Sequence, residues 1–252
     1  GLLNQPQLFM QDRSSGDPRL IKDPNQWSSD GTAALMDLSF SKDPRYMAYT
    51  RAQSGSDWNS IHIYDLEAGV DLPEVINYTK FPSIAWHPDS SGFFYNGSDQ
   101  SIDLSEQERQ PHKKIYFHNL HTDPSEDELV YENQDEPGLR FLPITSDDGK
   151  YLLFFEILGG DQRNGYLFRG IDGEKIKRIL EPGHGRFEYI GSRNGDLLFL
   201  SYVDAPLGKI VAVNPEAPDQ SNWVEVIPET QHAIINADGI DDRIVVVYSV
   251  DA

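Results

Sequence analysis

The stretch Leu38-Ser39-Phe40-Ser41-Lys42-Asp43-Pro44-Arg45-Tyr46-Met47-Ala48-Tyr49 decides how the rest of the chain is read. It has the pattern of a hairpin: an apolar run, a polar turn built on Asp and Pro, and a second run of aromatic and apolar residues suited to a strand. The pattern returns at residues 84–95, 143–154, 189–200 and 236–248, with turns at Pro88-Asp89-Ser90, Asp147-Asp148-Gly149, Arg193-Asn194-Gly195 and Asp241-Asp242. The turn residues Asp43, Asp89, Asp148, Asn194 and Asp242 are spaced by 46, 59, 46 and 48 positions. Six residues after each stands Tyr49, Tyr95, Phe154, Leu200 or Tyr248, which sets the register. A near-constant interval of this size marks a repeat architecture.

Working outward, each of the first four hairpins is followed by a third strand pattern, at residues 60–66, 114–119, 166–170 and 209–214, and by a less regular fourth at 74–78, 128–131, 177–180 and 223–227. Two further short strands are expected at 7–12 and 19–23, on either side of the turn-rich Ser14-Ser15-Gly16-Asp17-Pro18. Four antiparallel strands per repeat of 46 residues match the blade of a β-propeller, so the fold class is all-β. The long interval of 59 is explained by a polar insert at residues 98–112 without strand periodicity.

Composition narrows the function. A hydrophobic fraction of 38% with 11% aromatic residues is that of a globular chain, and there are no cysteines, which excludes disulfides and thiolate chemistry. A formal net charge of −20 argues against a nucleic-acid partner, because phosphate binding draws on clustered Lys and Arg, and favours attraction of cationic ligands. No apolar run reaches the roughly 20 residues of a membrane span. Compartment is not written in these residues; the cytoplasm is the expectation, with the periplasm left open.

Motifs for chemistry are missing. There is no Gly-x-Ser-x-Gly nucleophile elbow, no phosphate loop, no dinucleotide fingerprint and no His-Glu-x-x-His. No cofactor and no metal is expected: His118 and His121, three apart at a strand end, point to opposite faces. The carboxylates Asp43, Asp89, Asp148 and Asp242 fall at equivalent turns, where a side-chain oxygen bonding nearby backbone N–H explains them without catalysis. Ser54-Gly55-Ser56-Asp57-Trp58 is a polar, aromatic-tipped loop that the other repeats lack.

Several stretches resemble, in the same order, the propeller domain of the prolyl oligopeptidases, serine peptidases that cleave short peptides after proline. They are Leu8-Phe9-Met10-Gln11-Asp12 with Asp23-Pro24-Asn25, the segment Asp30-Gly31-Thr32-Ala33-Ala34-Leu35, Ser54-Gly55-Ser56-Asp57-Trp58, Lys80-Phe81 with Ala85-Trp86, Phe94-Tyr95-Asn96, and Asp135-Glu136-Pro137 ahead of Ser146-Asp147-Asp148-Gly149. The resemblance implies a seven-bladed propeller capping an α/β-hydrolase domain that carries the catalytic Ser, Asp and His. On that reading residues 1–252 are a partial propeller of about five blades' worth, starting and ending inside blades. The partners are then the hydrolase domain of the same protein and short proline-containing peptides. No catalytic residue is expected in this chain.

The resemblance further implies that Phe81 matches an aromatic contacting bound peptide, that Asp57 matches an acid facing the cavity between the domains, and that the insert matches a loop linked to substrate access. The family's substrate-binding arginine falls at Ile157, a departure. Hairpin arithmetic supplies a candidate replacement: around the Asp148-Gly149 turn, opposed residues sum to 297, so Arg140 faces Ile157.

Two other readings compete. A protein-interaction propeller with no catalytic role would suit the repeats, although the Gly-His and Trp-Asp marks of WD repeats are missing. A stand-alone propeller hydrolase with a central metal needs carboxylates recurring at one repeat position. The residues eight before each turn are Leu35, Phe81, Arg140, Arg186 and Ile234 instead.

Overall fold

The computed structural model describes residues 3–11, 16–52, 56–100, 105, 108–109, 113–134, 138–173, 175–240 and 243–250. Two compact units divide the chain, residues 1–133 and 134–252.

The first unit holds β1 (Leu8–Met10), β2 (Arg19–Lys22), β3 (Ala34–Phe40), β4 (Tyr46–Ala52), β5 (Trp58–Asp65), β6 (Val70–Lys80), β7 (Ile84–Trp86), β8 (Gly92–Asn96), β9 (Lys114–Asn119) and β10 (Glu128–Glu132). The second holds β11 (Leu139–Thr145), β12 (Tyr151–Leu158), β13 (Gly165–Gly170), β14 (Lys177–Leu180), β15 (Phe187–Arg193), β16 (Asp196–Ser201), β17 (Lys209–Val213), β18 (Val224–Ile227), β19 (Ala233–Ile240) and β20 (Arg243–Ser249). Among the described residues β3–β6, β7–β10, β11–β14 and β15–β18 are each a four-stranded antiparallel meander, and β1–β2 and β19–β20 are two-stranded. The all-β reading with four-stranded blades holds. Several boundaries move: the strand expected at 74–78 runs from Val70 to Lys80, the one expected at 7–12 covers Leu8–Met10, and Trp223, expected in a fourth strand, lies before β18, where its ring stacks on Phe187 at 4.8 Å between centroids.

The repeat alignment has a common local cause. Ser41, His87 and Ser146, two residues before the turn carboxylates, donate their backbone N–H to Tyr46, Gly92 and Tyr151 carbonyls, each at 2.9 Å. Asp43, Asp89 and Asp148 then accept from the backbone N–H of Arg45, Ser91 and Lys150 at 3.2, 2.8 and 3.2 Å. These are the Asx bonds expected from the residue types. The fourth hairpin turns through Asn194 and Gly195 at φ 53° and 89°, the left-handed pair a two-residue hairpin needs. Asp242 lies outside the described residues.

Most strands are apolar at consecutive positions because their sheets are buried on both faces. Along β16, Leu197 and Phe199 pack towards β12–β14, while Leu198 and Leu200 pack towards β19–β20. On β4 Ala48 faces β8 and β9, and Met47 and Tyr49 face β1, β2 and Trp27. A period of two thus feeds two cores from one strand.

Candidate functional site

In the first unit the antiparallel register opposes Trp58 to Lys80, and Asp57 and Phe81 are the residues that flank this pair where the two strands end. Phe81 sits at φ 43°, a left-handed conformation in which a Cβ crowds the backbone. One side chain ties the backbone on either side of it. Asn96, the last residue of β8 and fully buried, accepts from the Ser83 N–H at 2.7 Å and donates to the Lys80 carbonyl at 3.5 Å, gripping the chain on both sides of Phe81. The ring ends up 60% exposed on a fixed, strained backbone.

Asp57 is exposed, and its backbone is fixed by neighbours. The Ser56 hydroxyl accepts from Trp58 N–H at 3.1 Å, and Asn59 Nδ2 donates to the Asp57 carbonyl at 2.8 Å. Ser54 and Gly55 of the same loop lie outside the described residues, as do residues 101–104, 106–107 and 110–112 of the insert and the Asp135-Glu136-Pro137 stretch.

Arg140 belongs to the second unit. Its partner across the hairpin is Ile157, as the arithmetic of the turn requires. The guanidinium Nη2 donates to the Gly159 carbonyl at 3.1 Å, engaging one of its five donors at the mouth of the hairpin. Of the three residues selected from sequence, Asp57 and Phe81 thus flank one strand pair of the first unit, and Arg140 belongs to the second.

Of the two histidines weighed as metal ligands, His118 is a core residue and His121 is exposed. His118 is fully buried, its Nδ1 2.7 Å from Asp127 Oδ1, and the Tyr95 hydroxyl donates to Asp127 Oδ2 at 2.7 Å. Burial, then the charge of Asp127, pushes the Tyr95 hydroxyl well above its ordinary value. His121 is in the turn beyond β9, with Nε2 3.4 Å from the Tyr46 hydroxyl. Among the described residues no group of three or more His, Asp or Glu is arranged to hold a metal ion.

Sequence reasoning missed Asn96 as the residue that shapes Phe81. The signal was present only as an ordered stretch, Phe94-Tyr95-Asn96; its partners Lys80 and Ser83 lie 16 and 13 residues away.

Residues 1–252 match the family model of the prolyl oligopeptidase N-terminal β-propeller domain. Prolyl oligopeptidase A of Galerina marginata is 32% identical over 89% of this chain and 33% of its own length. A prolyl endopeptidase of Elizabethkingia miricola is 33% identical over 95% of this chain and 34% of its own length. Among solved structures, one from a structural and mechanistic study of two prolyl endopeptidases superposes with a TM-score of 0.85 at 25% identity, over 95% of this chain and 36% of that one. Prolyl oligopeptidase B of Galerina marginata bound to a 35mer substrate shares the fold with a TM-score of 0.83 at 22% identity, over 100% of this chain and 38% of that one. The chain spans about a third of the length of the curated relatives it matches. A family model covering every residue, with relatives of this likeness, places the chain in the prolyl oligopeptidase family as its N-terminal β-propeller domain.

Proposed function

We propose that this chain is the propeller part of a serine oligopeptidase that cleaves short peptides after proline. It admits and orients substrate for an α/β-hydrolase domain of the same protein, which supplies the nucleophile, base and oxyanion hole. In the first unit Phe81 offers a flat apolar surface to a proline-rich segment and the Asp57 carboxylate attracts a cationic end; in the second, taken by itself, the Arg140 guanidinium is a donor suited to a peptide carbonyl. The observation that carries this reading is Phe81. A bulky residue at φ 43°, its backbone tied on either side by a buried asparagine and its ring left 60% exposed, stores strain in order to present a surface, which is the mark of a recognition position.

The test compares the whole protein with the 252-residue chain on a chromogenic peptide carrying proline before the reporter. The whole protein is expected to release the reporter and to react with a serine-directed fluorophosphonate; the chain alone is expected to do neither. A folded whole protein that does neither overturns the reading in favour of a protein-interaction propeller.

A further inference from the structure

Beyond the candidate site, the outer edge of β6 is gripped by two residues of the insert. β6 is the last strand in the order β3-β4-β5-β6, so among the described residues its outer edge has no strand partner. Gln100 supplies one locally: Asn77 N–H donates to Gln100 Oε1 at 3.1 Å, and Gln100 Nε2 donates to the Asn77 carbonyl at 2.8 Å. These are the paired bonds an adjacent antiparallel strand would make. Arg109 is only 7% exposed; its Nη1 donates to the Asp99 carbonyl at 3.0 Å, and its guanidinium carbon lies 3.8 Å from the centroid of the Tyr78 ring.

Both grips fall on one irregularity. Asn59 pairs with Thr79 but Ile61 pairs with Ile76, so β6 carries an extra residue at Asn77–Tyr78. A bulge of this kind re-aims the chain beyond it. Tyr78 takes φ 56°, and its ring meets Trp58 edge-on at 6.4 Å. Trp58 in turn carries Lys80 Nζ 4.5 Å over its ring. The contacts run from Gln100 and Arg109 through the bulge to Trp58 and Lys80, the residues next to Asp57 and Phe81.

We propose that Gln100 and Arg109 are positioning residues that lock the Asn77–Tyr78 bulge and thereby set where Phe81 and Asp57 meet the peptide. The proposal rests on the substrate-facing reading of those two residues. Its consequence is that Gln100 and Arg109 set the binding of peptides long enough to reach Phe81, without touching the chemical step. Arg109 works through its planar, charged face on Tyr78, which a lysine does not reproduce.

The experiment uses the whole protein and its Arg109→Ala, Arg109→Lys, Gln100→Ala and Phe81→Ala variants. Amide hydrogen exchange is followed at residues 78–81, alongside kcat and KM on a short and a longer proline-containing peptide. With Arg109→Ala, exchange at 78–81 is expected to accelerate about tenfold. KM for the longer peptide is expected to rise about five- to tenfold with kcat within about twofold, with Arg109→Lys intermediate, as the loss of one desolvated cation–π contact implies. Gln100→Ala is expected to act in the same direction and stands in if Arg109→Ala fails to fold. Unchanged exchange at 78–81 overturns the proposal whatever the kinetics. Faster exchange with unchanged KM also overturns it, and Phe81→Ala locates the fault. If that variant too leaves KM unchanged, the substrate-facing reading has failed; if it raises KM, the link from the bulge to Phe81 has.

Discussion

At the scale of single residues, the turn carboxylates bear on stability, and Arg140 is the residue proposed to bear on recognition. Asp89 is held at about 2, from an ordinary 3.8, by hydrogen bonds from the Ser91 side chain and N–H and from His87. A folded value below the unfolded one means that the carboxylate stabilises the fold at pH above 3.8, and that this contribution drains away as pH falls towards about 2. Asp89→Asn is therefore expected to flatten the acid dependence of unfolding in that window, read from denaturant titrations at several pH values. For Arg140, substitution by Ala in the whole protein is expected to cost roughly 1.5–3 kcal/mol in kcat/KM on a proline-containing peptide, the worth of a hydrogen bond to a charged group. Ile157 is its cross-strand partner, so adding Ile157→Arg returns a guanidinium to the same place and part of the activity. Unchanged kinetics in the single variant would reduce Arg140 to a tie to Gly159.

At the scale of the element, the sheet β11–β14 carries a feature the sequence hides. Glu156, in the apolar run Phe154-Phe155-Glu156-Ile157, is fully buried and meets Arg178, whose Nη2 is 3.3 Å from Oε1. Burial pushes the Glu156 carboxyl up, and Arg178 pulls it back. Between them on β13 stands Gly165, where a Cβ would come within 2.7 Å of Pro182, 2.8 Å of Glu156 Oε2 and 2.8 Å of the Leu180 carbonyl. Arg178→Met strands the carboxylate and is expected to destabilise by about 3–5 kcal/mol, whereas Glu156→Leu with Arg178→Met should recover most of it. Thermal and urea unfolding of the two variants checks this. The contrast with what was legible follows from range. Turns such as Asp148-Gly149 and strands such as β9 and β14 are set by neighbours in sequence, and the register of Arg140 opposite Ile157 follows from counting across a turn. Glu156 with Arg178, and Asn96 with Lys80, are bonds between strands 22 and 16 residues apart, and no local pattern distinguishes a paired glutamate from a solvated one. Phe81 was selected by likeness; its φ of 43° and the bulge behind it had no local signature.

At the scale of the whole molecule, strand pairing among the described residues stays within each sheet, and no strand among them is shared between sheets. Within a unit, neighbouring sheets meet through interleaved side chains and a few polar ties. In the first unit Ser39 Oγ donates to the Ile84 carbonyl and the Asp43 N–H to Ser90 Oγ, both at 3.1 Å; in the second the Asp147 N–H donates to the Tyr189 hydroxyl at 3.1 Å. Such a chain is stabilised largely by nearest neighbours. Under mechanical load this arrangement behaves as links in series. Pulled from its ends, the chain is expected to give a sawtooth of separate ruptures, each freeing one repeat of 46 to 59 residues, or roughly 16–20 nm of extended chain. A single rupture releasing the full length would contradict it. A protein wired this way has the means to lose one sheet at its edge while its neighbours hold their shape.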